Sequence, residues 1–402
     1  MSRSRPLSSG YTASEETPSI AARMDRLPVL RSHKMITIVI GLGVFFDQYE
    51  NFLAPIMSTV LKKYFNLGGT QLSLVLASAF LGQFVGALWM GRLADRIGRQ
   101  HTFIINLLVY SLASVVCGLA PHATVLILAR FVAGIGIGGV GGLIVWAIRS
   151  FLPESPVWLE AHGRTDEAEK IARRFEDEAR QEGHTLAEPD TRVRPVHQKN
   201  VQFSEVFAPA VRKRTLVVSI MSVLQVFGYY GFGTIATLAL AAKGFDVVDS
   251  IAYTAVTYIG YPVGSLLMVP LVDRFERKHL IVTTAIMMGV FGLVFGFSPT
   301  PAIVMIAGGL FTASSNMFSG VYHTYLAENF PTRIRGTAAG FAYSLSKISA
   351  GVMPFILLPI LHSAGPGTVF AVVAIAMVIM MIDVGVFGVR TTGRNADIED
   401  HM

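Results

Sequence analysis

The chain has 402 residues, 52% hydrophobic and only 15% charged, with 38 Gly, 26 Phe and a mean hydropathy of +0.53. That balance excludes an ordinary soluble globular domain, where about a quarter of residues are charged. The single cysteine, Cys117, excludes a disulfide framework and a cysteine-based metal site, and the net charge of +6 leaves nucleic-acid binding to be judged from where the charges fall.

The first 34 residues are polar and rich in Ser, Arg and Pro, with no apolar stretch ahead of a small-residue cleavage site. They predict a solvated tail rather than a signal peptide, so the first span is itself the insertion signal. From there, apolar blocks of 18 to 26 residues recur, each long enough to cross a hydrocarbon core about 30 Å thick as a helix. They predict spans at 35–60, 71–90, 101–120, 124–149, 215–242, 250–270, 280–298, 301–326, 338–361 and 366–389. The expected organisation is an all-α integral membrane protein: a tail (1–34), a first bundle of four helices (35–149), a linker (150–214), a six-helix bundle (215–389) and a second tail (390–402).

Ten spans put both termini on one side, together with the connections at 91–100, 150–214, 271–279 and 327–337. Those segments, counting Arg149, carry 28 of the 33 Lys and Arg, against Lys62, Lys63 and Lys243 opposite. This positive-inside bias predicts a cell (plasma or inner) membrane protein with both termini in the cytoplasm. The basic charge is thereby assigned to topology and not to nucleic acid. Glu167, Lys170, Arg173, Arg174 and Glu178 fall at helical spacing and predict a short amphipathic helix in the linker.

The two bundles echo each other. "GRLADRIGRQ" (91–100) follows the second span, and "PLVDRFERKH" (270–279) follows the second span of the second half. Repeated halves are a transporter design. From Asp95 to Arg149 there are 54 residues, whereas from Asp273 to Arg390 there are 117, a shortfall of 63 in the first half. That is about two spans of ~20 residues with their connections. "VAGIGIGGVGGLIVWAIRSFLPESP" (132–156) therefore reads as a junction, joining the start of a fourth span, through Gly139, to the end of a sixth.

With these motifs assembled, the chain resembles the major facilitator superfamily, in its sugar-porter-like, metabolite:proton symporter branch. "GRLADRIGRQ" resembles the loop 2-3 motif with Gln100 where a cation is usual, and "ARFVAGIGIGG" (129–139) the fourth helix. "PESPVWLEAHGRTDEAEK" (153–170) resembles the segment after helix 6 and "PTRIRGTAAG" (331–340) loop 10-11. "GVRTTGR" (388–394) resembles the motif after helix 12, with Arg390 where an acid is usual. The resemblance implies a two-bundle transporter with about ten helices (4 + 6) in place of twelve, lacking part of helix 4, helix 5 and part of helix 6.

Polar residues at bilayer depth are the candidate sites, because each is costly there. Asp47 and Glu50 lie three apart on one helical face and read as proton-coupling acids, unless the span starts later and both sit at an interface. The resemblance supports the pair, with Glu50 where an Asp is more usual. Arg130 is either the counter-ion of Asp47, as the resemblance implies, or snorkels to the outer interface. Gly134, Gly138 and Gly142 form GxxxG steps for close helix packing, not a phosphate loop. Lys347 needs an anion, either a carboxylate-bearing substrate or Asp383. Gln225, Tyr229, Tyr230 and Asn316 are candidate substrate contacts, with plain helix packing an equal reading for the tyrosines. Gly91, Asp95, Arg96, Gly98 and Arg99, with Asp273, Arg274, Glu328, Arg333 and Arg335 in the second half, form an expected cytoplasmic gate, or merely set topology.

The expected function is proton-coupled symport of a small organic acid or related metabolite by alternating access. A facilitator or antiporter on the same fold, or a truncated membrane protein that does not transport, are the alternatives. No motif supports an enzyme. The expected partners are the lipid bilayer and a small-molecule substrate, for a monomer with no cofactor or metal and the proton as coupling ion.

Overall fold

The computed structural model describes residues 19–97, 99–136, 156–161, 163–189 and 203–391; within its helices the side chains of 39–47, 50, 90–96, 99, 100, 332 and 333, among others, lie outside the description. Every regular element among the described residues is helical.

In chain order, α1 (Ile20–Asp25) is capped by Ser19, whose hydroxyl accepts from the Ala22 amide at 3.2 Å. Helix α2 (Arg31–Ile56) opens where linker acids satisfy its free N–H groups: Arg31 N donates to Glu182 Oε1 (2.9 Å) and Ser32 N to Glu178 Oε1 (2.8 Å). The short α3 (Ser58–Tyr64) follows. Helix α4 (Gly69–Ile97) runs through most of the loop expected at 91–100, and only Gly98 separates it from α5 (Arg99–Gly118). The stretch "WMGRLADRI" holds no proline, and its single glycine is tolerated within the helix, so α4 continues to Ile97. Helix α6 (Ala123–Gly136) is the described part of the expected 124–149 span. Its continuation through Gly138, Gly139, Gly142, Trp146 and Arg149 lies outside the described residues.

The linker holds α7 (Pro156–Ala161) and α8 (Thr165–Gln181), the latter being the amphipathic helix expected from its charge spacing. Then come α9 (Arg212–Ala242), α10 (Val247–Thr257), α11 (Gly260–Val272), α12 (Arg277–Phe297), α13 (Pro301–Glu328) and α14 (Thr332–Ile382), which ends in a π turn at Asp383–Phe387. Helix α14 is a hairpin of two limbs. It folds at Gly365 (φ 78, ψ 176), a backbone region closed to other residues, and Pro366 starts the return limb with its ring-fixed φ. Among the described residues, six segments are long and apolar enough to cross a bilayer: 69–87, 212–242, 247–272, 277–297, 301–328 and the α14 hairpin, 334–387.

The chain forms two compact units. In the smaller, residues 19–34 correct the expectation of a solvated tail. Ala168, Ala172, Phe175 and Ala179 form a buried stripe along α8, and Ile20, Leu159 and Leu30 pack on it. The Arg23 guanidinium forks onto both oxygens of Glu176 at 2.8 Å and also reaches Glu169, while Arg26 binds Glu176 at 2.6 Å. The Arg23 hydrogen bonds, opposed by burial and aided by Arg26, hold the Glu176 carboxyl at about 2, down from 4.5.

The larger unit is the helix bundle. One end holds the turns at 57–68, 243–246, 298–300 and Gly365. The other, the basic end, holds those at 273–276 and 329–331. Helix α4 crosses α6 along a glycine seam. A Cβ on Gly82 would stand 2.0 Å from the Phe131 carbonyl oxygen, and one on Gly134 2.1 Å from that of Ala79. Gly134 thus serves the packing role expected of it, against a partner glycine on α4. Helices α9, α12, α13 and α14 build the main core around Phe232, Phe295, Phe311 and Phe370.

Candidate functional site

The bundle encloses a cavity of about 640 Å³. Its walls are Gln225, Tyr229 and Tyr230 of α9, Ser265, Met268, Val269 and Val272 of α11, Asn316, Ser319, Gly320, Tyr322, His323 and Thr324 of α13, and Tyr343 and Ser346 of α14; Gln48 of α2 completes it. Most of these positions lie between mid-helix and the basic end, whereas Gln48, Tyr229, Tyr230 and Ser265 stand at or a little past the middle of their helices, toward the other end.

The opposite end is closed. Phe52 of α2 lies against Gly233 of α9, with its ring 5.3 Å from Tyr258 and Tyr261 and 6.3 Å from Tyr230. Leu81 of α4 packs on Gly351 of α14, and Ser73 Oγ reaches the Pro354 carbonyl at 3.5 Å.

Four of the five expected substrate contacts, Gln225, Tyr229, Tyr230 and Asn316, face one cavity. They come together because each is a polar break in an otherwise apolar helix face turned to the same interior space. Lys347, the fifth, stands one layer back and is 2% exposed. Its Nζ donates to the Tyr230 hydroxyl at 2.9 Å and sits over two cavity-lining rings, 4.9 Å from the centroid of Tyr230 and 4.7 Å from that of Tyr343. The alternative of a pair with Asp383 is not formed. Lys347 turns toward α9, while Asp383 is buried in the π turn packed against α9 and α12. Among the described residues no carboxylate lines the cavity, so its nearest fixed charge is this caged ammonium.

Sequence reasoning missed Gln48, Ser265, Tyr322, His323 and Tyr343. Tyr343 was the most legible of these, standing four residues before Lys347 and so on the same face. The side chains of Asp47 and Glu50 lie outside the described residues. Arg130 is 3% exposed and donates from Nε to the Val75 carbonyl at 3.0 Å, which corrects the snorkelling alternative.

At the basic end, Glu328 meets Arg277 (3.3 Å), a residue outside the expected gate set. Asp273 and Arg274 are exposed. Arg335 donates to the Phe330 carbonyl at 3.3 Å. The ties to the chain's return come from Glu276, whose carboxylate accepts from the Thr391 amide (3.0 Å), and Lys278, which donates to the Gly388 carbonyl (2.9 Å). Gly98 and the side chains of Asp95, Arg96, Arg99 and Arg333 lie outside the described residues, as does anything that Gly91 packs against.

Residues 139–399 match the family described as sugar (and other) transporter, and residues 36–156 match the major facilitator superfamily. The chain belongs to the sugar (and other) transporter family. Among its relatives, the niacin transporter NiaP of Acinetobacter baylyi is 26% identical over 94% of this chain and 99% of its own. The gentisate transporter of Corynebacterium glutamicum is 23% identical over 81% of each. The fold matches the xylose transporter XylE of E. coli in a partially occluded inward-open structure, with a TM-score of 0.68 at 16% identity over 89% of this chain and 98% of that one. The protein is therefore a multi-pass membrane transporter of metabolites and not an enzyme. The alignment with the niacin transporter runs over 438 positions but takes up 94% of 402 residues, about 378, so about 60 positions have no residue from this chain.

Proposed function

We propose that the protein is a proton-coupled symporter of a small aromatic or related organic acid, working by alternating access between two bundles. The observation that carries this reading is the cavity itself, closed at one end, faced with hydroxyls, amides and tyrosine rings, with the Lys347 ammonium caged just behind Tyr230 and Tyr343. Aromatic walls suit a flat ligand, and among the described residues the cation is held by neutral partners, with no carboxylate lining the cavity to compete with an incoming one. Niacin and gentisate, named for the two relatives, are both aromatic carboxylates.

The positive-inside bias puts the basic end and both termini in the cytoplasm, so the cavity faces inward. Asp47 and Glu50 in α2 are assigned proton coupling, Arg130 their support, and Glu328 with Arg277 the second half's share of the cytoplasmic gate. Labelled nicotinate and gentisate, offered to proteoliposomes under an inward proton gradient, test the reading: accumulation should collapse with a protonophore. Asp47→Asn should abolish driven uptake yet leave exchange, and unchanged pH-dependent accumulation in that variant would remove Asp47 from the mechanism.

The roughly 60 unfilled positions favour one second reading, a chain of about ten spans that binds ligand without moving it. Tight binding with no flux in the same vesicles would select it.

A further inference from the structure

One hydrogen-bonded chain runs across five helices at the closed side of the cavity. Gln83 of α4 donates its amide to Asn51 Oδ1 of α2 at 2.5 Å, and Asn51 Nδ2 donates to Gln48 Oε1 at 3.4 Å. Gln48 Nε2 donates to the Tyr229 hydroxyl of α9 at 2.7 Å, and that hydroxyl donates to Asn316 Oδ1 of α13 at 3.4 Å. Asn316 Nδ2 donates in turn to the Tyr261 carbonyl (2.8 Å) and to Ser265 Oγ. Every donor points the same way, from α4 toward α11, so each bond polarises the next.

Two facts single out Gln48. Among the described residues it is the only cavity-lining side chain from the first half of the chain. Its carbonyl is occupied by Asn51, which is itself held by Gln83, so the face it turns to the cavity is the amide N–H₂, a donor. A ligand that is to draw the two halves together must touch both, and on the first-half side this donor is the group within reach.

We propose that Gln48 is the first half's ligand-contacting residue, that it selects an acceptor such as a carboxylate oxygen, and that its bond to Tyr229 is the latch of the closed end, exchanged for the ligand when ligand binds. Asn51 and Gln83 are positioning residues, which hold the Gln48 amide donor-outward. The proposal rests on the organic-acid reading for the ligand's chemistry, but the latch stands on the geometry alone.

The test uses the detergent-purified full chain with Cys117→Ser and a reporter, Ser73→Cys, at a position 3% exposed in the closed end. Nicotinate and gentisate binding is measured by equilibrium dialysis, and maleimide labelling of residue 73 reports opening. Gln48→Ala should weaken nicotinate at least tenfold and speed labelling several-fold, with melting showing that the fold is kept. Asn51→Ala frees the Gln48 amide to turn, so the preference for nicotinate over 3-pyridylmethanol should fall, a ratio that mere loosening would not move. Unchanged nicotinate binding in Gln48→Ala overturns the contact. If the unsubstituted chain binds neither acid, the organic-acid reading fails, and labelling alone decides: faster labelling in Gln48→Ala upholds the latch, and an unchanged rate overturns it.

Discussion

Two helix contacts in the bundle are made of opposite materials. Helices α4 and α6 meet backbone to backbone, with Gly82 set against the Phe131 carbonyl and Gly134 against that of Ala79. Helices α2 and α9 meet through side chains, Phe52 on Gly233 and Gln48 on Tyr229. The first has no rotamers with which to yield, whereas the second can part by turning a ring and breaking one hydrogen bond. The difference separates what stays together within a half from what opens between halves.

The largest expected effect breaks the rigid contact. Gly82→Val puts a branched side chain where even a Cβ would be 2.0 Å from the Phe131 carbonyl oxygen. Backbone has to move, so a loss of several kcal/mol is expected, and with it most of the folded protein recovered by size exclusion. Recovery equal to the parent chain would show that the seam is not rigid.

Gly233→Val is the matched test of the yielding contact. A Cβ there would be 2.2 Å from Phe52 Cε1, but that ring sits on a side chain that can swing. The variant should fold, cost on the order of 1–3 kcal/mol, and hold the closed end open, read as faster maleimide labelling of Ser73→Cys. Failure to fold would erase the distinction between the two contacts.

Lys347→Ala sharpens the comparison from the ligand's side. Binding of anionic ligands should fall about ten- to a hundredfold, roughly 1.4–2.8 kcal/mol, while neutral analogues lose much less. Equal losses for both would make Lys347 a packing element of the tyrosine pair.

The smallest effect lies in the tail and linker unit. Because Glu176 is held at about 2 against an ordinary 4.5, its contribution is full above pH 4.5 and is lost as pH falls toward 2. Glu176→Gln should remove that acid sensitivity, seen as tail protease resistance that no longer changes between pH 5 and pH 3, and should leave ligand binding unmoved.

Most of the fold was legible in the sequence because insertion into lipid demands long apolar blocks, and the described parts of those blocks are helical. The boundaries that moved had local reasons, as where α4 runs on to Ile97 with no proline to stop it. Gln225, Tyr229, Tyr230 and Asn316 were legible because polar groups are rare at that depth. Gln48 was not, since it stands between two carboxylates that hold the eye. The docked tail was not legible either: Arg23 and Glu176 are 153 residues apart, and pairing of distant charges leaves no period in a sequence.

The interruption between α10 and α11 has a mechanical consequence. The carbonyl freed at Thr257 is taken by the Thr312 hydroxyl at 2.5 Å, and Gly260 rests so tightly on α13 that a Cβ would be 2.2 Å from the Gly309 carbonyl oxygen. Above the break α10 is fastened by Thr254 to Thr237 (3.1 Å), while below it α11 carries Ser265, Met268, Val269 and Val272 of the cavity wall. Below the break α11 is also held to α13, by Asn316 to the Tyr261 carbonyl and Ser265 and by Gly264, where a Cβ would be 2.1 Å from the Ala313 carbonyl oxygen, so the break frees a carbonyl without freeing a helix. Any widening of the mouth beside Val272 therefore has to carry α11 and α13 together, as one wall, past the rest of the bundle.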